Sequence, residues 1–275
     1  MIYTKQEIRE QIMGLDLPAG FPIIMHTSLR AVGKLEGGAE MLLELLIDEV
    51  TKKDGVLIIP THTWDNLYTD NITLDLTKRE ANLGAFPLVA LNRTDGLRTD
   101  NPTHSAVMFG NREMIDRLAD GEFCVDTPTS PESLYGKLYR EGGYVLLVGV
   151  DQNSNTYLHS VEEMLNFPDR MVADRTKVSV KYKDGTLKYT SIRLFDESVH
   201  GDVSHKFYKY EPAFRYHGAI KDGKIGSAKV QLCSCVRMKE VLELLGQRAP
   251  AGDPLLFEGE IPEKLFLNKC FSNEL

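Results

Sequence analysis

The chain is poor in cysteine, which limits how it can be cross-linked or bind zinc. It has four cysteines among 275 residues, and their uneven spacing does not suit a disulfide framework in a chain of this size. Cys233 and Cys235 form a CxC pair, but no second Cys or His pair lies at zinc-ligand spacing from it. We therefore expect reduced thiols, as is usual in cytoplasmic proteins, and expect Cys233 and Cys235 to pack in the core.

Long apolar runs and a surplus of positive charge are also missing. No apolar run approaches the length that spans a bilayer, and the first residues lack the basic-then-apolar pattern of a signal peptide. The formal net charge of −8 argues against a nucleic-acid-binding surface and is compatible with a site that attracts cations. We expect one domain over residues 1–275 in the cytoplasm, without nucleic-acid or membrane partners.

Several common catalytic motifs are absent from the sequence. It contains no GxGxxG and no GxxxxGK followed by Ser or Thr, so dinucleotide binding and P-loop chemistry have no support. It has no GxSxG for a serine nucleophile, and no cysteine lies beside a histidine at the end of a predicted strand. The metal-ligand motif HExxH is missing too. Any catalysis must therefore come from residues that the fold brings together.

The apolar segments change character near Pro168. Before it, continuous apolar strands such as Phe21 to Met25 and Tyr144 to Val150 alternate with amphipathic helices, which predicts parallel crossovers. After it, alternating segments around the Asp-Gly pairs at 184–185 and 222–223 predict antiparallel hairpins. We expect a three-layer α/β/α sandwich whose mixed sheet is parallel in the first half and extended by antiparallel hairpins in the second.

Histidines follow or precede several of the predicted strands. His26 and His62 come after apolar strands, His104 comes just before one, and His159 begins the helix that follows the strand at 144–150. In an open α/β sheet the carboxyl ends of the strands meet at one edge, where ligands bind. His159 has carboxylates at i+3 and i+4, a pattern that suits a general base but on spacing alone is more typical of a helix-capping or surface pair.

The same convergence of side chains admits a second chemistry, that of a metal-dependent hydrolase. His and Asp side chains that meet from several strand ends often build a catalytic metal site, and Asp65 is close to His62 in the sequence. Without a local ligand motif, however, scattered histidines are more often structural and hydrogen-bonded. We predict no metal site and keep the hydrolase as the alternative.

Several ordered motifs together resemble one known family. MHTSLRAVGKLEGGAEMLLELLIDEV, GVLIIPTHTW, NPTHSAVMFG, SPESLYGKL and GGYVLLVGV with LHSVEE are similar, in order and spacing, to the aminoglycoside N(3)-acetyltransferases. The resemblance covers most of Phe21 to Glu163, and the later half adds mainly KIGSAKVQL. It implies an α/β/α sandwich, unrelated to the GNAT acetyltransferases, that binds acetyl-CoA as co-substrate and acetylates an amine without a metal.

The resemblance also implies where acetyl-CoA binds. In the family pattern a histidine commonly precedes the proline where this chain has Asn101, so this part of the site departs from the pattern. The loop after the first strand and the segment before the strand at 106–109 are the implied CoA-binding residues. They are His26, Thr27, Ser28, Leu29, Arg30, Ala31, Val32, Gly33, His104 and Ser105.

The histidine of the LH-x-x-E motif is the implied base, and it is His159 here. A neutral imidazole can take the proton of an attacking amine, and a carboxylate is expected to orient it. Glu163 is one candidate for this carboxylate, and Asp196, Glu197 and Glu211 are contenders from the later half. With no credible covalent nucleophile, we expect direct attack in a ternary complex.

Other groups have less specific roles. Backbone N–H groups of the turn from Thr27 to Leu29, with Ser105, are candidate donors to the oxyanion. Trp64, Asp65 and Asp70 are candidate substrate-binding residues, because acids attract a polycation, although a single acid is more often a solvated surface charge. The expected acceptor is a small-molecule amine, and the preferred candidate is the 3-amino group of an aminoglycoside. A different amine and a non-catalytic CoA-binding protein are alternatives, and a homo-oligomer is left open.

Overall fold

The computed structural model describes residues 2–64 and 72–267. The strands are β1 (Ile2–Tyr3), β2 (Pro22–Thr27), β3 (Lys34–Leu35), β4 (Val56–Pro60), β5 (Ile72–Asp75), β6 (Leu97–Arg98), β7 (Ala106–Gly110), β8 (Tyr144–Val148), β9 (Met171–Lys181), β10 (Leu187–Phe195), β11 (Ile220–Ile225) and β12 (Ala228–Ser234). The helices are α1 (Lys5–Gly14), α2 (Leu29–Val32), α3 (Gly38–Thr51), α4 (Ala85–Asn92), α5 (Arg112–Ala119), α6 (Leu134–Arg140), α7 (Tyr157–Met164), α8 (Glu211–Tyr216) and α9 (Cys235–Arg248).

A seven-stranded mixed sheet forms the centre, in the order β11-β12-β8-β2-β4-β7-β6. β2 runs parallel to both β8 and β4, whereas β7 and β12 pair antiparallel to their neighbours on either side. The three parallel strands are buried throughout or nearly so, as a strand covered on both faces must be. The predicted three-layer sandwich with a mixed sheet is therefore confirmed.

Helices cover both faces of this sheet. Ile23 and Ile24 are successive residues of β2 and belong to two different buried clusters, because successive side chains of a strand point to opposite faces. α5, α6, α7, α8 and α9 pack with Ile24 on one face, which we call the α7 face. α1, α3 and α4 pack with Ile23 on the other.

Three details differ from the sequence-based expectation. In the first half of the chain, where a parallel sheet was expected, β6 and β7 join the sheet antiparallel. The hairpin of β9 and β10 does not extend the central sheet but pairs with β5 in a separate three-stranded sheet, which we call the small sheet. The last hairpin turns at Gly226, whose φ is +59°, while Asp222 and Gly223 lie inside β11. An Asp-Gly pair favours a turn only locally, and pairing of β12 with β8 fixes the register instead.

Candidate active site

Four histidines meet at the end of the sheet where the parallel strands finish. His26 lies two residues after Ile24 in β2, so its side chain is on the α7 face. His62 follows β4 and His104 precedes β7, and the antiparallel pairing of these strands brings their rings to 4.2 Å. His159 is in the first turn of α7 on the same face. The predicted convergence of histidines at one sheet edge is therefore observed.

The His159 imidazole contacts two aromatic rings, and within residues 2–64 and 72–267 it forms no hydrogen bond. Its ring centroid is 4.6 Å from that of Phe195, the last residue of β10, and 4.8 Å from that of Phe207 in the 3₁₀ helix Val203–Tyr210. This burial lowers the pKa of His159 to about 4, although Asp202 acts in the opposite direction. The imidazole is therefore neutral near pH 7, which is the form that can accept a proton.

The carboxylates expected beside His159 have other partners. Glu163 accepts hydrogen bonds from Thr127 Oγ1 at 2.5 Å and Thr129 Oγ1 at 2.7 Å, while Asp196 caps its own turn at Ser198. Glu197 is exposed, and Glu211 accepts from Arg215 and Gln231. Within residues 2–64 and 72–267 none of these acids forms a hydrogen bond or ion pair with His159.

Asp202 is the carboxylate whose charge acts on His159. It caps the 3₁₀ helix that carries Phe207, accepting a hydrogen bond from the Ser204 N–H at 2.9 Å. This residue was not predicted from the sequence, because 3₁₀ helices have no clear periodic signature. The Asp-x-Ser capping pattern was the one signal that could have found it.

A buried ionic network lies one turn along α7 from His159. Arg170 donates from Nε to Glu162 at 2.8 Å and from Nη2 to Asp253 at 2.8 Å, and Tyr210 Oη donates to Glu162 at 2.9 Å. The side chains of Arg170, Glu162 and Asp253 are at most 4% exposed. The network ties α7 to the 3₁₀ helix that holds Phe207 and to the start of β9. It was not predicted from the sequence.

His62 and His104 have protein partners of their own. His62 Nε2 is 2.5 Å from Tyr135 Oη, and Trp64 Nε1 donates to His104 Nε2 at 3.4 Å. Because His104 Nε2 accepts, its proton is on Nδ1, 2.9 Å from Thr103 Oγ1. These rings therefore shape the site as packed neutral groups, and Trp64, 37% exposed, is at its rim.

Asn101 organises the segment that carries His104. Its Oδ1 accepts from the His104 N–H at 3.0 Å and the Thr103 N–H at 3.3 Å, and its Nδ2 donates to Glu122 and to the Pro128 carbonyl. The side chain is fully buried and its hydrogen-bonding capacity is used within the protein. The departure from the family pattern at this position therefore serves to hold the loop.

The predicted CoA-binding loop borders a cleft of about 170 Å³ at the ends of β2 and β4. Ser28 caps the short helix α2, and Gly149, with φ of +68°, lets the turn after β8 pack against it: a Cβ there would lie 2.4 Å from Ala31 Cβ. The residues that line the cleft are Met25, His26, Thr27, Ile59, Pro60, Leu83, Phe86, Pro87, Val150 and Ser154. The lining includes two of the predicted residues, and His159 is not part of it.

Two predicted oxyanion donors are already engaged. The Ser28 N–H donates to the Val148 carbonyl at 2.9 Å, and the Ser105 hydroxyl donates to the Thr61 carbonyl at 3.1 Å. Ser105 also accepts from Arg98 Nε at 3.2 Å. These groups therefore build the walls of the site. The predicted substrate-binding residues Asp65 and Asp70 lie outside the described residues.

The described residues offer little to a metal ion. Across 2–64 and 72–267, no three His, Cys, Asp or Glu side chains are arranged to hold one. The same residues contain no helix long and apolar enough to cross a membrane.

The histidine cluster predicts that acid destabilises the fold. Burial lowers the pKa of His26 and His159 to about 4, that of His104 to about 3, and that of His62 further below 6.5. Between pH 6.5 and 4 the unfolded chain therefore binds more protons, so stability falls as pH falls. Burial raises the pKa of Glu122 to about 7 and also raises the pKa of Glu162 and Glu163, so these acids bind protons in the folded state and offset part of the effect. We expect a loss of up to about 3 kcal/mol per pH unit between pH 6 and 5.

Urea unfolding at pH 7, 6 and 5 measures this slope. We expect the variant His104→Asn to lower the slope by about 1.4 kcal/mol per pH unit, the value of one proton. His205 is 80% exposed and its Nε2 lies 3.5 Å from Asp202 Oδ2, so it is the surface comparison, and His205→Asn is expected to change the slope much less because exposed pairs are screened. A flat stability profile over this range would contradict the neutral, buried state of the cluster.

Comparison with known proteins gives the family. The profile of the family described as Aminoglycoside 3-N-acetyltransferase matches residues 24–245. The SPbeta prophage-derived aminoglycoside N(3')-acetyltransferase-like protein YokD of Bacillus subtilis is 25% identical over 260 residues, 87% of this chain and 91% of the relative. Aminoglycoside N(3)-acetyltransferase III of Pseudomonas aeruginosa is 25% identical over 255 residues, 84% of this chain and 88% of the relative.

Solved structures agree in fold. AAC(3)-IVa, solved as a histidine mutant in complex with gentamicin, has a TM-score of 0.75 at 21% identity, covering 91% of this chain and 90% of its own. AAC-IIIb, solved as a binary complex with CoASH, has a TM-score of 0.74 at 21% identity, covering 91% and 100%. Since the family profile spans most of the central sheet and the histidine cluster, this chain belongs to the aminoglycoside 3-N-acetyltransferase family and is an acyltransferase, as predicted.

Proposed function

We propose that this protein transfers the acetyl group of acetyl-CoA to the 3-amino group of an aminoglycoside, with His159 as general base. The observation that carries this proposal is the neutral His159 imidazole held between Phe195 and Phe207, at the sheet end that also bears the cleft. Family membership supports acetyl transfer to an aminoglycoside amine, and the site supplies a base for it.

The chemistry needs one proton acceptor and no covalent intermediate on the protein. The amine nitrogen bonds to the thioester carbonyl carbon, and the C=O π pair moves to oxygen. The nitrogen, now positively charged, gives a proton to His159. The C=O bond then reforms, the C–S bond breaks, and the thiolate that leaves takes the proton from the imidazolium. A base of low pKa is sufficient for this proton transfer, because a nitrogen bonded to the acyl carbon is a much stronger acid than the free ammonium.

The acyl donor fits the cleft at the ends of β2 and β4. The lining is mostly apolar, which suits the acyl and pantetheine end of acetyl-CoA, and the loop His26 to Gly33 borders it. AAC-IIIb, a structural relative of the same fold, was solved with CoASH. Thr27 and His26 supply polar groups within this apolar lining.

The acceptor is a polycation, and charge supports its approach. The chain has a net charge of −8, and Asp202 is a partly exposed carboxylate beside the base. An acidic site attracts a cationic ligand and lowers the energy of the bound ammonium groups. Asp65 and Asp70 remain predictions for this role.

A panel of aminoglycosides and simple amines, scored for thiol release from acetyl-CoA and for the acetylated product, tests the proposal. We expect turnover with aminoglycosides that carry a 3-amino group, product acetylated at that nitrogen, and no loss of rate with a chelator. Turnover with simple amines alone would move the acceptor to another class. Loss of activity with chelator would favour the hydrolase alternative, and binding of acetyl-CoA without turnover would favour a CoA-binding protein.

We predict that Asp202→Asn slows the reaction. Removing this charge makes His159 a weaker base, because Asp202 raises the pKa that burial lowers. We expect kcat to fall by about twofold to fourfold, because Asp202 is partly exposed and rate depends only fractionally on the basicity of the base. Asp196→Asn and Glu197→Gln, measured in parallel, are expected to have smaller effects. A larger fall in kcat for either variant would indicate that Asp196 or Glu197, as first predicted from the sequence, orients His159 instead.

A further inference from the structure

His26 is a buried imidazole without a protein partner. It is 8% exposed, its Nε2 is buried without a hydrogen bond, and neither ring nitrogen has a partner within the described ranges. A neutral imidazole always carries one N–H, and an unsatisfied buried donor is unfavourable in a native protein. Such a group calls for a ligand or water as its partner.

The position of His26 connects the cleft with the face that bears the base. His26 lines the cleft, whose other members are mainly apolar, such as Met25, Ile59 and Phe86. The alternation of β2 also puts its side chain on the α7 face, where His159 lies. His62 Nδ1 and Thr63 Oγ1 are likewise buried without partners, but neither residue lines the cleft.

Neighbouring donors are unavailable for a ligand in this cleft. The Ser28 N–H is bonded to the Val148 carbonyl, as is Thr27 Oγ1 at 3.4 Å, and the Ser105 hydroxyl is bonded to Thr61. Burial lowers the pKa of His26 to about 4, so the ring is a neutral donor rather than an acid near pH 7. A neutral imidazole can polarise a carbonyl oxygen without giving up its proton.

We propose that the His26 N–H donates a hydrogen bond to the thioester carbonyl oxygen and stabilises the oxyanion that forms there. This inference rests on the proposed function. As the amine nitrogen bonds to the carbonyl carbon, the π pair moves to the oxygen that His26 contacts, and His159 takes the proton from nitrogen. When the C–S bond breaks and C=O reforms, His26 retains its own proton. The two histidines thus act on opposite charges of one transition state.

Steady-state kinetics of His26 variants give the first test. We expect His26→Ala to lower kcat about 10²-fold to 10³-fold, as loss of one oxyanion donor does, with the KM for acetyl-CoA changed less than about threefold. His26→Asn keeps a neutral N–H donor and is expected to recover at least about tenfold. Ile24→Val, a change in the core of the same strand but outside the cleft, is the control for packing. A kcat for His26→Ala within about threefold of wild type, or equal losses for Ala and Asn, would overturn the proposal.

Binding gives a second test that needs no turnover. S-ethyl-CoA is a thioether that lacks the carbonyl oxygen of acetyl-CoA. We expect wild type to bind acetyl-CoA about fivefold more tightly than S-ethyl-CoA by calorimetry, and His26→Ala to bind both equally. Equal affinities in wild type would overturn the inference. If the wild type acetylated no amine but still preferred acetyl-CoA, the proposed function would be wrong and the inferred role of His26 would be retained.

Discussion

Replacing His159 by alanine is expected to lower kcat about 10²-fold to 10⁴-fold, the range that general base catalysis supplies. The His159 imidazole is neutral and partly exposed, whereas the rings of His62 and His104 are engaged by Tyr135, Thr103 and Trp64. The measurement is thiol release from acetyl-CoA with a saturating aminoglycoside, beside a thermal melt of the variant. Because the ring occupies space between two aromatic side chains, added imidazole is expected to restore part of the activity.

A matched histidine serves as the control for this substitution. His217 follows α8, is partly buried and is bonded to the Phe266 carbonyl at 2.9 Å, away from the cluster. We expect His217→Gln to change kcat by less than about twofold. An unchanged kcat in His159→Ala, with the protein folded, would remove His159 from the reaction and leave the base unassigned.

Replacing Arg170 by alanine is expected to lower the free energy of unfolding by about 3–5 kcal/mol, the range for a buried ion pair with one partner removed. Arg170 faces Glu162 and Asp253, so its loss leaves two buried carboxylates without a cation. The cost arises from these unpaired charges rather than from the lost pairs themselves. Urea unfolding at pH 7 measures it.

An exposed ion pair in the same chain provides the comparison. Arg112 pairs with Asp116 at 2.9 Å on the surface of α5, where its side chain is 71% exposed. We expect Arg112→Ala to change stability by about 0–1 kcal/mol, because water and salt screen such pairs. If both variants lost the same small amount, the network around Arg170 would have no special part in holding α7 and the base.

The sequence predicted the central sheet better than its connections. The strands β2, β4 and β8 are continuous apolar segments, and their burial on both faces leaves this signature. The direction of β7 and the separation of the small sheet depend on which strand each edge meets. Those pairings join residues far apart in the chain, so a local pattern does not contain them.

The active site, like the fold, was predictable from the sequence only in part. The meeting of four histidines follows from where the strands end, so it was predictable. The carboxylate that acts on His159 was not predictable, because Asp202 lies 43 residues further along the chain, at the start of a 3₁₀ helix. Glu162 and Asp253 join through Arg170 for the same reason: tertiary packing alone makes them neighbours.

Phe195 is the last residue of a strand in the small sheet, so one of the two rings that contact the base is positioned by a part of the protein with few buried apolar residues. Among the described residues, the cluster that packs with this sheet is Ile72, Val125, Val178 and Ile192, and Leu74 and Val180 are also buried, which is few beside the clusters on the central sheet. Regions with few buried contacts open first. Gentle heating is therefore expected to inactivate the enzyme while its central sheet is still intact.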